Sequence, residues 1–169
     1  MQTKNRKKYI IQFFLVLSGL LVHCIADAQN SRMALHKPAR NLIWPEKIEM
    51  EVSFLSDTIC AGRGAGTRGG VEAAAWIARK FDKAGLMKFG DTWSKTAISS
   101  NGTACHNVIG FLPGNSKDHR NSYIIIGAHF DHLGTIGEKF YPGADANASG
   151  VVALTSLAEM LSMTRSIGR

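Results

Sequence analysis

The most informative segment for the fold is Tyr123-Ile124-Ile125-Ile126-Gly127-Ala128, followed directly by His129-Phe130-Asp131-His132-Leu133-Gly134. Its first six residues are continuously apolar and rich in β-branched side chains, a pattern typical of a strand buried on both faces of a sheet. In open α/β sheets, ligands bind at the carboxyl ends of the strands. The run therefore predicts a central buried strand that ends at a binding edge, where His129 and Asp131 lie.

Helical and extended segments flank this strand in the order typical of an α/β domain. Apolar spacing predicts one helix after Pro45 that runs up to Ser56-Asp57, and a second helix over 70–84 that Gly85 ends. Strands are predicted at 93–98 and 106–112, and a final helix at 149–161. We therefore expect an α/β fold with a central mixed or parallel sheet flanked by helices.

The N-terminus carries the pattern of a cleaved secretory signal. Four cations precede the apolar stretch 10–22, and Ala26-Asp27-Ala28 follows it. We expect residues 1–28 to be removed and the protein to be secreted or periplasmic. A membrane anchor is the weaker alternative, because a spanning helix needs roughly 20 apolar residues. A lipoprotein formed through Cys24 is also weaker, because His23 is not the small residue that such sites prefer.

The charge of the chain excludes a nucleic-acid partner. Removal of the four N-terminal cations and Asp27 lowers the formal net charge from +7 to +4. No basic stripe interleaved with aromatic residues remains, and no stable membrane span is expected after cleavage.

Residues 29–44 are polar and are predicted to be a flexible lead-in. Cys60 and Cys105 can pair in an oxidising compartment or stay as buried thiols.

His129 and Asp131 are the first candidates for chemistry. Because residues two apart in an extended chain point the same way, these two side chains can share one face. An imidazole is a good zinc ligand, and a carboxylate beside it can orient the ring. Taken alone, however, the pair favours a structural hydrogen bond, and His132 favours an ordinary loop histidine.

Four sequence motifs, taken together, favour a functional role for these residues over a structural one. They are the glycine-rich Gly62-Arg63-Gly64-Ala65-Gly66-Thr67, Asn107-Val108-Ile109-Gly110, Gly127-Ala128-His129-Phe130-Asp131-His132-Leu133-Gly134, and Pro142-Gly143-Ala144-Asp145 continuing to Gly150. Over nearly all of the mature chain, the sequence resembles the M28 family of zinc metallopeptidases, which are mostly aminopeptidases. The resemblance implies a zinc-aminopeptidase-like fold, two zinc ions, a Glu general base and a peptide substrate.

The resemblance also assigns residues by position. His129 resembles the first zinc ligand, and Asp131 resembles the catalytic carboxylate that orients the site. The family's metal-bridging Asp lies three residues before the Ser of Ala-Ser-Gly, where this chain has Ala146. An alanine methyl cannot coordinate a metal, so a bridged zinc pair requires Asp145, one residue earlier, to act as the metal ligand.

Further groups of the family's site would lie beyond Arg169. We therefore expect 45–169 to be the N-terminal part of an M28-like domain, cut after the second zinc-site loop and its helix and inactive alone. Three hypotheses follow for the whole protein. It is a secreted zinc aminopeptidase, or a catalytically impaired binding or structural protein, which Ala146 favours. The third is a glutaminyl-cyclase-like relative, which the glycine-rich and His-Phe-Asp-His-Leu-Gly motifs fit less well.

Overall fold

Three helices and three short strand pairs make up the part of the chain that the computed structural model describes, residues 41–114 and 121–167. Helix α1 spans Pro45–Ser56, α2 spans Arg68–Lys83 and α3 spans Ser149–Ile167. A short 3₁₀ segment, Thr58–Arg63, follows α1, and one wide turn, Ala144–Ala148, leads into α3. The strands are β1 Met87–Lys88, β2 Ser94–Ile98, β3 Ala104–Val108, β4 Gly110–Phe111, β5 Thr135–Ile136 and β6 Lys139–Phe140.

The signal peptide predicted for residues 1–28 lies outside the described residues, as does the lead-in up to residue 40. The described helices and strands belong to one unit, Ala39–Arg169. In this part of the chain, no helix combines the length and apolar character needed to cross a lipid bilayer.

The core lies between the three helices. Ala73, Ile77 and Phe81 are four residues apart on α2, so they share one face, and all three are buried. They pack with residues of α1, the 3₁₀ segment and the start of α3, namely Leu55, Cys60, Ala148, Val151 and Val152. Burial of each large apolar side chain stabilises the folded chain by about 1.5–3 kcal/mol, which explains why these local helices stay together.

Helix α2 begins and ends where local chemistry requires. The Thr67 hydroxyl accepts a hydrogen bond from the Gly70 backbone N–H, so the helix starts two residues earlier than apolar spacing predicted. At its other end, Gly85 has φ +73°. The Leu86 N–H donates to the Phe81 carbonyl at 3.0 Å and the Gly85 N–H donates to the Asp82 carbonyl at 2.9 Å. These two bonds satisfy carbonyls that the helix end leaves free, which confirms Gly85 as the terminator.

The predicted strand pair is also present. β2 and β3 are antiparallel, with Ser94 opposite Val108 and Ile98 opposite Ala104. The second predicted strand is divided: β3 ends at Val108, and β4 instead pairs with β1. In the described structure Cys60 is buried, Cys105 is half-buried, and both are free thiols.

The prediction of a central strand at 123–128 is wrong. These residues form no strand, and the side chains of Ile124 and Ile125 are each 92% exposed. Every strand pair among the described residues is a separate two-stranded antiparallel sheet. A strand buried on both faces needs neighbours along both edges and a layer on each face, and the described chain supplies neither to this segment. The mixed α/β class is correct, whereas the central sheet of a zinc-aminopeptidase fold stays a prediction.

Candidate functional site

The candidate site is built from three loops. We call residues 62–67 the glycine loop, residues 129–134 the histidine loop and residues 141–148 the aspartate loop. The His132 N–H donates to the Arg63 carbonyl at 3.1 Å, and the Gly134 N–H donates to the Gly62 carbonyl at 3.0 Å. The Tyr141 N–H then donates to the Gly134 carbonyl at 3.0 Å. Main-chain hydrogen bonds therefore hold the histidine loop against both of the other loops.

Two glycines allow this close approach. A Cβ at Gly62 would lie 2.4 Å from the Tyr141 carbonyl oxygen, and its φ of +65° lies in the region that favours glycine. A Cβ at Gly143 would lie 2.5 Å from the His132 ring, and its φ is +58°. The contact between the loops therefore requires glycine at positions 62 and 143.

The Arg63 side chain lies at the centre of the three loops and is fully buried. Its Nε donates to the Phe130 carbonyl at 2.8 Å, one Nη donates to the carbonyls of Leu55 and Pro142, and the other donates to the Gly143 carbonyl at 2.6 Å. Burial lowers the pKa of the guanidinium, and the nearby Cys60 and Asp131 oppose that shift. An arginine is nevertheless always protonated in proteins, so the loops enclose a permanent positive charge.

His129 and Asp131 lie together at the start of the histidine loop. His129 Nδ1 is 3.1 Å from the Asp131 main-chain oxygen and 3.7 Å from the Asp131 carboxylate. Because a carbonyl oxygen can only accept, we assign the proton to Nδ1, which leaves a lone pair on Nε2. The two side chains are 62% and 58% exposed. Nε2 of a ring oriented in this way is the nitrogen that a metal ion would take.

Asp145 is exposed in the wide turn of the aspartate loop, beside the exposed Ala146. Across the described ranges, no group of three or more His, Cys, Asp or Glu side chains is placed to hold a metal ion. The structure thus brings His129 and Asp131 together and does not gather Asp145 with them. A catalytic zinc ion generally takes three protein ligands, so the described donors fit one side of a zinc site and not a complete one.

Sequence reasoning missed two residues that organise this region. Arg63 was noted only as part of the glycine-rich motif, because its hydrogen-bond partners at 130, 142 and 143 lie far away along the chain. Asn147 was also missed: its side-chain N–H donates to the His129 carbonyl at 3.1 Å. A Cβ at Gly150 would lie 2.2 Å from the Asn147 side-chain oxygen, so the Asn-Ala-Ser-Gly spacing makes room for this bond.

Comparison with known protein families gives a match that covers the histidine and aspartate loops. The family model described as Peptidase family M28 matches residues 107–167, which include the histidine loop, the aspartate loop and α3. No curated protein and no solved structure matches the chain. The match confirms the resemblance over this segment, while α1, the glycine loop and α2 precede it.

Proposed function

We propose, from the membership of residues 107–167 in peptidase family M28, that this protein is a zinc-dependent aminopeptidase. Its substrates would be peptides, from which it removes N-terminal residues. The observation that carries the proposal is the His129–Asp131 pair, in which Nδ1 is held at 3.1 Å by the Asp131 carbonyl and Nε2 is left for a metal. A family match alone indicates a peptidase, and this pair supplies a donor of the type that zinc prefers.

Each residue has a separate task in this proposal. His129 would be a zinc ligand, Asp131 would hold the imidazole in its orientation, and Asp145 would be a second ligand. Zinc, when bound, polarises a scissile carbonyl and lowers the pKa of a bound water. Asn147 supports the same arrangement, because its hydrogen bond to the His129 carbonyl fixes the main chain beneath the ligand.

The basic, apolar and Ala-x-Ala segments at the N-terminus support export. We propose that the protein acts outside the cell or in the periplasm, with Gln29 as its first mature residue. N-terminal sequencing of exported protein tests this proposal. An intact Met1 on the functional protein would contradict it.

The activity is tested with aminoacyl-anilides that release a chromophore, using the complete gene product. We expect hydrolysis that a chelator abolishes and zinc restores. His129→Ala should lower kcat/KM by more than the roughly 10–100-fold that loss of an outer contact to a metal ligand costs. His106→Ala is the matched control, because His106 lies on β3 and contacts Ser94 and Thr96 instead of the histidine loop. Equal losses in both variants would argue against a ligand role for His129.

One observation favours a second function. Ala146 stands where the family has its metal-bridging carboxylate, and a methyl group cannot bridge two ions. A protein without that bridge could serve as a peptide-binding or structural relative of the enzymes. Peptide binding without hydrolysis at any zinc concentration would favour this second function over the first.

A further inference from the structure

We propose that Arg63 is a positioning residue for the metal-binding loops. Its buried guanidinium fixes the main chain of the histidine loop relative to the aspartate loop, and thereby the place of His129 relative to Asp145. This inference rests on the proposed function, because it assigns Arg63 a role toward the same site. The guanidinium is fully buried and donates to main-chain carbonyls, so it acts through the loops.

The contacts of the guanidinium are distributed over separate parts of the chain. It donates to the Phe130 carbonyl, 67 residues away, and to the Pro142 and Gly143 carbonyls, 79 and 80 residues away. Phe130 lies between His129 and Asp131, and Gly143 lies two residues before Asp145. One rigid planar group therefore connects the peptide units next to the candidate ligands, and its fixed fork geometry leaves them little freedom to move.

The groups that accept hydrogen bonds from the buried Arg63 cation are uncharged carbonyls. Among the described residues it forms no ion pair with a carboxylate, and carbonyl oxygens accept its hydrogen bonds instead. The Asp131 carboxylate is consequently left facing His129, at 3.7 Å from Nδ1. A buried cation usually costs free energy unless it is well hydrogen-bonded, and four accepting carbonyls meet that requirement here.

The backbone gives independent support. Arg63 has φ +53°, in the left-handed region that favours glycine. A residue chosen only to make this turn would be glycine, as at the neighbouring Gly62. The hydrogen bonds of the arginine side chain to four carbonyls offset the cost of this backbone conformation.

The test compares two variants with a surface control. Arg63→Gly removes the guanidinium but suits the positive φ, and Arg63→Lys keeps the charge without the planar fork. Arg68→Lys is the matched control, because the Arg68 side chain is 94% exposed. Zinc affinity is measured by competition with a chromophoric chelator, and amide hydrogen exchange is measured without zinc at His132, Gly134 and along α2.

We expect Arg63→Gly to weaken zinc binding roughly 10–100-fold, Arg63→Lys to lie between it and the unchanged protein, and Arg68→Lys to have no effect. Exchange at His132 and Gly134 should accelerate in both Arg63 variants while α2 stays protected. Zinc affinity within twofold of the unchanged protein, or an equal acceleration in α2 and the loops, would overturn the inference. If His129→Ala also leaves zinc affinity unchanged, the proposed function fails. The exchange of the loop amides still decides whether Arg63 holds them.

Discussion

At the scale of single residues, Ala146 and Asp145 determine where the wide turn before α3 can supply a carboxylate to a metal. Both side chains are exposed in the wide turn Ala144–Ala148. Position 146 therefore has room for a carboxylate, although the chain carries a methyl group there. The side chain of Asn147, the next residue, donates to the His129 carbonyl and so connects this turn to the histidine loop.

The first prediction concerns Ala146→Asp. A carboxylate at this position adds a metal ligand, so zinc affinity should rise by roughly tenfold or more, comparable with the effect of other changes around metal ligands. Competition with a chromophoric chelator measures it. Ala153→Asp is the control, because Ala153 is exposed on α3 and adds the same charge away from the loops. Equal zinc affinity and stoichiometry for Ala146→Asp and the unchanged protein would mean that Asp145 already supplies the bridge.

The second prediction concerns Gly143→Ala. The new methyl would lie 2.5 Å from the His132 ring at a backbone φ of +58°. Overpacking and positive φ each cost about 1–3 kcal/mol, so the free energy of unfolding should fall by about 2 kcal/mol or more. Urea unfolding measures this change. At Gly114 an added Cβ meets nothing within 4 Å, so Gly114→Ala should leave stability nearly unchanged, and a similar loss in both variants would contradict the explanation.

Individual elements differ in how far local sequence decides them. α2 has its own start at Thr67, its own end at Gly85 and a regular apolar face, and the structure contains it almost as predicted. The segment 123–128 has the strongest strand composition in the chain, yet it is unpaired in the described structure and exposed from Tyr123 to Gly127. Strand composition indicates a side chain suited to a sheet, but the hydrogen bonds must come from another strand.

The third prediction concerns hydrogen exchange at this segment. Backbone N–H groups without a hydrogen-bond partner exchange quickly, so the amides of Ile124, Ile125 and Ile126 should exchange near the rate of an unfolded peptide. The inward-bonded amides of β3 are the internal control, because β3 pairs with β2 over five residues. Exchange measured by NMR or mass spectrometry distinguishes the two segments. Protection at 124–126 equal to that of β3 would show that these residues are paired in solution.

At the scale of the whole molecule, a network of alternating charges connects the three helices. Lys47 of α1 contacts Glu159 of α3 at 2.5 Å, and Lys80 of α2 contacts Glu51 of α1 at 2.5 Å and Glu159 at 3.2 Å. The four side chains are between 6% and 16% exposed. Because desolvated charges are costly unless each one is paired, the network selects the helix arrangement in which all four meet.

The network also makes stability depend on pH. Burial would raise the pKa of Glu159, but the hydrogen bonds and charges of Lys47 and Lys80 outweigh it and lower the pKa. Burial would lower the pKa of Lys80, but Glu51 and Glu159 outweigh it and raise the pKa. Glu159 thus contributes stability above its unfolded pKa of about 4.3, which is lost as the pH falls through the folded value. Lys80 contributes stability below about 10.4, which is lost as the pH rises through its folded value.

The fourth prediction follows from the directions of these two pKa shifts. The contribution of the network to stability should be level between about pH 5 and pH 10 and should fall on both sides. Lys80→Met should lower the free energy of unfolding by about 3 kcal/mol near pH 7, because it leaves Glu51 and Glu159 short of a partner. Urea unfolding measured from below about pH 5 to above about pH 10 detects the fall on each side, and the measurement near pH 7 gives the loss in Lys80→Met. Arg68→Met breaks only the exposed contact to Glu72 at 3.9 Å and should cost less than about 1 kcal/mol.

Features that depend on residues close by in the chain could be predicted from the amino-acid sequence. α1, α2 with its Gly85 end, the β2–β3 hairpin and the start of α3 follow from apolar spacing, caps and turn residues that lie within a few positions. The M28 motifs within residues 107–167 were also readable, because they are contiguous strings that the family match confirms. His129 and Asp131 were brought close as expected, since two residues in an extended chain need no distant partner to meet.

Features that depend on residues far apart in the chain became visible in the folded structure. Residues 123–128 read as a buried strand, but burial requires neighbours on both edges, and no local pattern supplies them. Arg63 was predicted only to be part of a glycine-rich loop, yet it is fully buried, and carbonyls 67 to 80 residues away accept its hydrogen bonds. A buried polar group is stable only when all its partners are in place. Those partners come from the end of α1, the histidine loop and the aspartate loop, so composition and spacing along the chain could not reveal them.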